Sequence, residues 1–242
     1  MNLLPTSGRN AAKAAAALAL TGVLAFGTVA PAVAADPQTP GASSVQPAAV
    51  AGSPFKDVTW NTQYAKEILW VAQSGISTGW SDGTYRPLAP VSREAMAAFM
   101  HRLDALKGSK DDLPDSVPAF NDVANSQFRG EIGWLLGSGV TTGYPDGSFR
   151  PGASVNRDAM AAYLYRMAGY PEFTPPKTSP FKDVSTSNQF YREISWLAST
   201  GISTGWTHAD GSRTYAPLQP VARDAMAAFM YRFAEKGYVP KA

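Results

Sequence analysis

Beyond residue 55 the apolar positions fall into two helical patterns that alternate along the chain. The first places Tyr64, Ile68, Val71 and Ala72 at offsets of 0, 4, 7 and 8. It returns as Phe128, Ile132, Leu135 and Leu136, and again as Phe190, Ile194, Leu197 and Ala198. Such offsets line one face of an α-helix and fit no strand, whose faces alternate every second residue. Gly75, Gly139 and Gly201 follow, where a left-handed residue would close each helix. The second pattern puts Met96, Phe99, Met100 and Leu103 on one face, then Met160, Tyr163, Leu164 and Met167, then Met226, Phe229, Met230 and Phe233. Ser92 and Asn156 stand at the N-cap of this helix, whereas Ala222 lacks a capping side chain. Its alanines suit close helix packing.

The patterns define three copies of one helix–loop–helix unit, at 55–103, 120–167 and 181–233. Unit two is one residue shorter near its start, and unit three carries four extra residues in its middle loop. The connectors, 104–119 and 168–180, are rich in Pro, Lys and Asp and read as surface loops. Two helices of this size cannot bury their apolar faces alone, so the units must share a core. Open repeat arrays need polar terminal copies, and these three copies look alike. The expected fold is therefore all-α, with three helix–loop–helix repeats closed into a pseudo-threefold bundle.

The first 35 residues are of another kind. Arg9 and Lys13 precede an Ala/Leu/Val/Phe run, then Pro31 and small residues ending Ala32-Val33-Ala34. That order predicts a secretory signal peptide cleaved near residue 35, with a retained membrane anchor as the alternative, disfavoured because Gly22, Gly27 and Thr28 interrupt a short apolar run. Residues 36–54, mostly Pro, Ala, Ser and Gly, predict a disordered linker. The whole chain holds 21 Lys+Arg and 19 Asp+Glu, but the leader takes two cations and no acid, leaving 19 of each sign. A balanced mature chain argues against nucleic acid as a partner. Cysteine is absent, which excludes disulfides, thiol nucleophiles and an acylated lipoprotein cysteine. No second apolar stretch reaches membrane length, so no transmembrane segment is expected in the mature chain.

Several side chains recur at fixed places. Arg93, Arg157 and Arg223 open the second helix. A cation there opposes the helix dipole, yet arginine beside free N–H groups suits a carboxylate ligand. The structural alternative pairs each arginine with an acid such as Asp57, Asp122 or Asp183. Those aspartates could equally cap the first helix. Trp70, Trp134 and Trp196 lie about 200° from the core face of the first helix and need a partner, either a sugar ring or the next repeat. Gly79, Gly143 and Gly205 precede Trp80, Tyr144 and Trp206 in the middle loop, where a missing side chain would let a ligand approach the backbone. Asp82, Asp146 and Asp210, each followed by glycine, read as turn residues. His101 and His208 have no repeated partner, so neither a catalytic triad nor a metal site is expected, and no cofactor. Acids such as Glu67, Glu131 and Glu193 recur in every unit, whereas a catalytic centre would break the repeat. No catalytic residue and no enzyme are read from this chain.

Phe-x-Asp-Val, an aromatic-bearing helix, G-[IV]-x-T-G-[WY], P-D-G-S-F-R-P, V-x-R and an Ala-rich helix ending in Arg follow in order, most completely in unit two as GSGVTTGYPDGSFRPGASVNRDAMAAYLYR. This arrangement resembles the S-layer homology (SLH) module across all three units. The resemblance implies grooves between neighbouring units and non-covalent binding of secondary cell-wall polysaccharide, including pyruvate-ketal-bearing sugars. The expected glycan-binding residues are the three arginines, the three first-helix tryptophans, the glycines 79, 143 and 205, and the aspartates 57, 122 and 183. It further implies a secreted wall anchor or S-layer-associated component at the cell wall or cell surface, with other envelope proteins as further partners. An adhesive or protein-binding scaffold, or a non-catalytic subunit of a secreted glycan-active enzyme, are the rival readings. One departure stands out. The family's Thr-Arg-Ala-Glu is here Ser92-Arg93-Glu94-Ala95, Asn156-Arg157-Asp158-Ala159 and Ala222-Arg223-Asp224-Ala225. The acid has moved one position, about 100° around the helix, so the family glutamate's role is not carried over.

Overall fold

The computed structural model describes residues 52–108, 113 and 120–239. The expected leader, nearly all of the linker and most of the first connector lie outside the described residues. Unit one forms α1 (Ala65–Gln73) and α2 (Arg93–Ala105), and unit two forms α3 (Arg129–Gly137) and α4 (Arg157–Met167). Unit three forms α5 (Tyr191–Thr200), the strands β1 (Trp206–Thr207) and β2 (Arg213–Thr214), and α6 (Arg223–Glu235). The all-α expectation thus gives way to a mostly helical fold with one two-stranded antiparallel ladder. Its cause is the longer loop of unit three. Units one and two close their hairpins with Trp80 N–H donating to Thr84 O at 2.8 Å and Tyr144 N–H to Ser148 O at 2.9 Å. In unit three the same turn sits two residues further out, with His208 N–H donating to Ser212 O at 2.8 Å, so the strands between can pair.

The helices follow from the patterns read above. Ile68, Val71, Ile132, Leu135, Ile194 and Leu197 are fully buried. Gly75, Gly139 and Gly201 adopt φ of 71°, 73° and 76° just past their helices, a left-handed turn that glycine enters without a Cβ clash. The expected face of the second helix is buried at every position, and so are Ala97, Ala98, Ala161, Ala162, Ala227 and Ala228. These helices are enclosed on nearly all sides, more than a single apolar stripe suggests, because each is packed by two units. Ser92 caps α2 through its Oγ, which accepts from Ala95 N–H at 3.3 Å. Asn156 occupies the N-cap position but makes no cap bond. There the carboxylate two residues on replaces it: Asp158 Oδ1 accepts from Ala159 N–H at 2.7 Å, and Asp224 Oδ1 from Ala225 N–H at 2.6 Å.

The larger helix pairings join different units. α2 packs on α3, α4 on α5, and α6 on α1. Backbone bonds run the same circuit at the core: Val155 N–H donates to Val91 O (2.9 Å), Val221 N–H to Val155 O (2.8 Å) and Val91 N–H to Val221 O (2.9 Å). The first amides of each second helix are also satisfied across a unit boundary. Arg93 and Glu94 N–H donate to Ala153 and Pro151 O, Arg157 and Asp158 to Gln219 and Pro217 O, and Arg223 and Asp224 to Ala89 and Pro87 O, all at 2.8–3.0 Å.

Candidate functional site

Each unit's middle loop is a hairpin closed by backbone and side-chain hydrogen bonds. Asp82 Oδ1 accepts from Thr84 N–H (3.0 Å) and its hydroxyl (2.6 Å), as Asp146 does from Ser148 and Asp210 from Ser212. These side-chain hydrogen bonds hold all three carboxyls down to about 2. Gly79, Gly143 and Gly205 have φ of 71°, 70° and 67°. A Cβ on Gly143 would stand 2.2 Å from the Phe120 ring, and one on Gly205 2.2 Å from Thr214 O. Close packing on the Phe-x-Asp-Val phenylalanine therefore requires these glycines. The aspartate of that motif does not cap the first helix. Asp57 instead accepts from Tyr85 and Arg86 N–H, both at 2.7 Å. Asp122 holds Phe149 and Arg150, and Asp183 holds Tyr215 and Ala216, in the same way at 2.7–2.8 Å. Arg86, Arg150 and Ala216 have φ of 56°, 60° and 53°, a strained region for non-glycine residues, and the carboxylate clamps them in it.

The hairpin so fixed receives the arginine of the preceding unit in the circuit. Arg93 Nε donates to Phe149 O (2.6 Å) and Nη1 to Tyr163 Oη (2.9 Å). Arg157 Nε donates to Tyr215 O (2.8 Å), and Nη2 points to Ser203 Oγ (3.4 Å). Arg223 Nε donates to Tyr85 O (2.7 Å) and Nη2 to Ser77 Oγ (3.2 Å). All three are buried, and among the described residues none is paired with a carboxylate. They lie instead on aromatic faces: Arg93 is 4.9 Å from the Tyr144 centroid, Arg157 4.4 Å from Trp206 and Arg223 4.1 Å from Trp80. Burial pushes the guanidinium pKa of Arg157 and Arg223 down. The expected ion pair with the motif aspartate is absent because those carboxylates are spent on the loop backbone. The expected free helix amides are absent too, since the neighbouring unit's carbonyls take them.

Three grooves result, one per unit, with volumes of about 360, 440 and 190 Å³ in units one, two and three. Every groove combines the hairpin glycine and its following aromatic, the flank of the second helix, and the arginine of a different unit. Each also has a second arginine, Arg102, Arg166 or Arg232, tethered to Ile76, Val140 or Ile202 O at 2.8–3.3 Å. A glutamine and an aromatic from the next unit, Gln127 and Phe128, Gln189 and Phe190, or Gln63 and Tyr64, complete the far wall. Glu94 lines the first groove and Asp158 the second. Glu94 Oε2 accepts from Ser126 Oγ at 2.6 Å, while burial raises the pKa of Asp158 and of Asp224.

Of the expected site residues, the fold brings together the arginines and the glycines. The first-helix tryptophans lie elsewhere, on the seams between units. Trp70 meets Tyr231 at 5.5 Å, Trp134 meets His101 at 5.0 Å and Trp196 meets Tyr165 at 5.3 Å. Of the two partners left open for them, it is a neighbouring repeat that they meet, the second helix of the preceding unit in the circuit, because α1, α3 and α5 each face that helix. The aspartates 57, 122 and 183 likewise act behind the hairpin, on its backbone. The groove aromatics Trp80, Tyr144 and Trp206, the second arginines and the glutamines were not singled out as ligands by the sequence. Their signal was present, since each recurs at one place in every unit.

The S-layer homology domain model matches residues 54–97, 119–161 and 180–227. With matches over more than half of its length and three repeated grooves, this chain belongs to the S-layer homology domain family. An S-layer protein of Bacillus thuringiensis subsp. finitimus is 29% identical over 169 residues, which is 69% of this chain and 20% of that protein. A cellulosome-anchoring protein of Acetivibrio thermocellus is 28% identical, covering 46% of this chain and 25% of its own length. An endoglucanase of a Bacillus species is 28% identical over 58% of this chain and 15% of its own. The chain thus spans a quarter or less of these relatives. SLH domains are binding or anchoring modules for cell-wall polysaccharide, and the family and its S-layer relatives support a location at the cell surface or cell wall. No helix among the described residues is long and apolar enough to cross a membrane.

Proposed function

We propose that this chain is a non-covalent wall anchor whose three grooves bind an acidic secondary cell-wall polysaccharide. One observation carries the reading: each groove holds a buried arginine from another unit that has no carboxylate partner among the described residues. A buried charge without a counter-ion is expensive to keep, and an anionic sugar substituent such as a pyruvate ketal supplies what is missing. The guanidinium offers its remaining N–H groups to the carboxylate, the second arginine adds charge, and the glutamine amide meets a ring hydroxyl. Binding is the whole event, with no bond broken. The circuit of helix pairs and valine bonds supports a pseudo-threefold bundle, in which one recognition element is used three times and engagement of several grooves multiplies affinity. Cleavage near residue 35 and a linker to residue 54 belong to the same proposal, as does the choice of pyruvylated sugar. Co-sedimentation with native and polymer-stripped walls tests it. The protein should pellet with native walls only and be released by urea or guanidinium without wall digestion. Equal binding to stripped walls would overturn the reading in favour of a protein partner.

A further inference from the structure

The hairpin aromatics are not equally clad. Trp80 carries two guanidiniums, Arg223 at 4.1 Å and Arg86 at 4.5 Å from its centroid. Both guanidiniums lie within cation–π distance of that one ring. Tyr144 is clad in the same way by Arg93 at 4.9 Å and Arg150 at 3.9 Å. Trp206 carries only Arg157, at 4.4 Å. Its second arginine is replaced by Ala216, and 44% of Trp206 is exposed with no other ring or cation on it among the described residues. The acid that would steer a cation there is also engaged. Asp82 and Asp146 hold Arg86 and Arg150 at 3.0 Å, but Asp210 holds Lys182 at 2.9 Å. The four extra residues of unit three add polar groups beside the bare ring. Thr214 stands opposite Trp206 in the ladder, and His208, just past the end of β1, meets Thr214 Oγ1 through Nε2 at 2.8 Å.

We infer that the outer face of Trp206, rimmed by His208 and Thr214, is a second kind of saccharide site that stacks a neutral pyranose ring and is separate from the arginine grooves. An indole face bare of cations attracts the C–H face of a pyranose, whose hydrogens carry partial positive charge. The hydroxyl and imidazole at its edge match ring hydroxyls. Units one and two offer less of this contact, since two guanidiniums lie over each of their rings. Charge contributes little here, so the contact should survive salt that weakens the grooves.

The full chain is sedimented with native walls in about 1 M NaCl, where charges are screened beyond ~3 Å. Wild type should keep a salt-resistant bound fraction. Trp206→Ala should weaken it roughly ten-fold, the scale of one lost aromatic stack. Ala216→Arg should do the same by covering the ring, and it fits the backbone because Arg86 and Arg150 hold the same left-handed φ. Trp60→Ala, an exposed tryptophan outside the grooves, should change nothing. Melting temperatures confirm that each variant is folded. A folded Ala216→Arg protein that binds as wild type in high salt overturns the inference, as does a wild type with no salt-resistant fraction. Lysine variants of the groove arginines report on the grooves at low salt, so failure of one site is distinguishable from failure of the other.

Discussion

At the scale of single residues, the arginines have two duties that must be separated in any experiment. Arg93, Arg157 and Arg223 each donate through Nε to a carbonyl of another unit, so alanine there removes a structural bond as well as a ligand contact. Lysine is the better probe, because it keeps the charge and loses the planar fork. Arg→Lys at all three positions should leave helical circular dichroism in place and weaken low-salt wall binding about ten-fold or more per groove, as expected for one charge-assisted hydrogen bond. Full binding by the folded triple variant would end the carboxylate reading. Asp122→Ala has a different signature. It strips two backbone amides of their acceptor and frees Arg150 from its clamp, and should lower stability by about 2–3 kcal/mol, seen as a melting temperature lower by roughly 5–10 °C. The buried acids at the start of α4 and α6 set a pH dependence of their own. Burial raises the pKa of Asp158 and Asp224 above their unfolded values. The folded state therefore binds more protons across that interval, and their contribution to stability falls as pH rises through it. Asp158→Asn with Asp224→Asn should flatten this slope and leave the protein at least as stable at neutral pH, measured by urea unfolding at several pH values.

At the scale of elements, the seams between first and second helices carry the large aromatics. Trp70 and Trp196 are buried and Trp134 is half-buried. Trp70→Ala should lower stability by about 3–5 kcal/mol, the range for a buried tryptophan left as a cavity, and Trp134→Ala by less. Binding per folded molecule should stay unchanged in both, since neither ring lines a groove. A folded Trp70→Ala protein that has lost wall binding would place that ring at the ligand after all. The hairpins make the complementary case. Gly143→Ala forces a Cβ to 2.2 Å from the Phe120 ring at a φ of 70°, so the loop must shift, at a cost of about 2–4 kcal/mol.

At the scale of the whole molecule, no unit is complete alone. Unit one lends α2 to unit two and receives α6 and Arg223 from unit three. A chain ending after unit two would expose the α1 face that α6 covers, leave Val91 N–H without Val221 O, and strip two grooves of the unit-three groups that complete them. Limited proteolysis of that truncated chain should degrade it into small fragments, whereas in the full chain α1 to α6 should resist cleavage. A protease-resistant two-unit core would show that closure of the circuit is dispensable.

Periodicity in the sequence was enough to place every helix among the described residues, because apolar stripes at offsets of 0, 4, 7 and 8 or of 0, 3, 4 and 7 fit no strand. Gly75 and its counterparts marked where those helices stop for an equally local reason, the left-handed φ. The repeat of Arg93, Arg157 and Arg223 also marked them as candidates for a ligand. What lies against each arginine was not local. Its carbonyl partner is 56, 58 or 138 residues away in the chain, and no spacing rule connects the two. The tryptophans show the same limit, since an aromatic on the far side of an amphipathic helix meets solvent, sugar or protein according to what the circuit of units brings there. Trp206 is the clearest instance. Its sequence position matches Trp80 and Tyr144, and only the tertiary placement of Ala216, Lys182 and the longer hairpin leaves it with one guanidinium where they carry two.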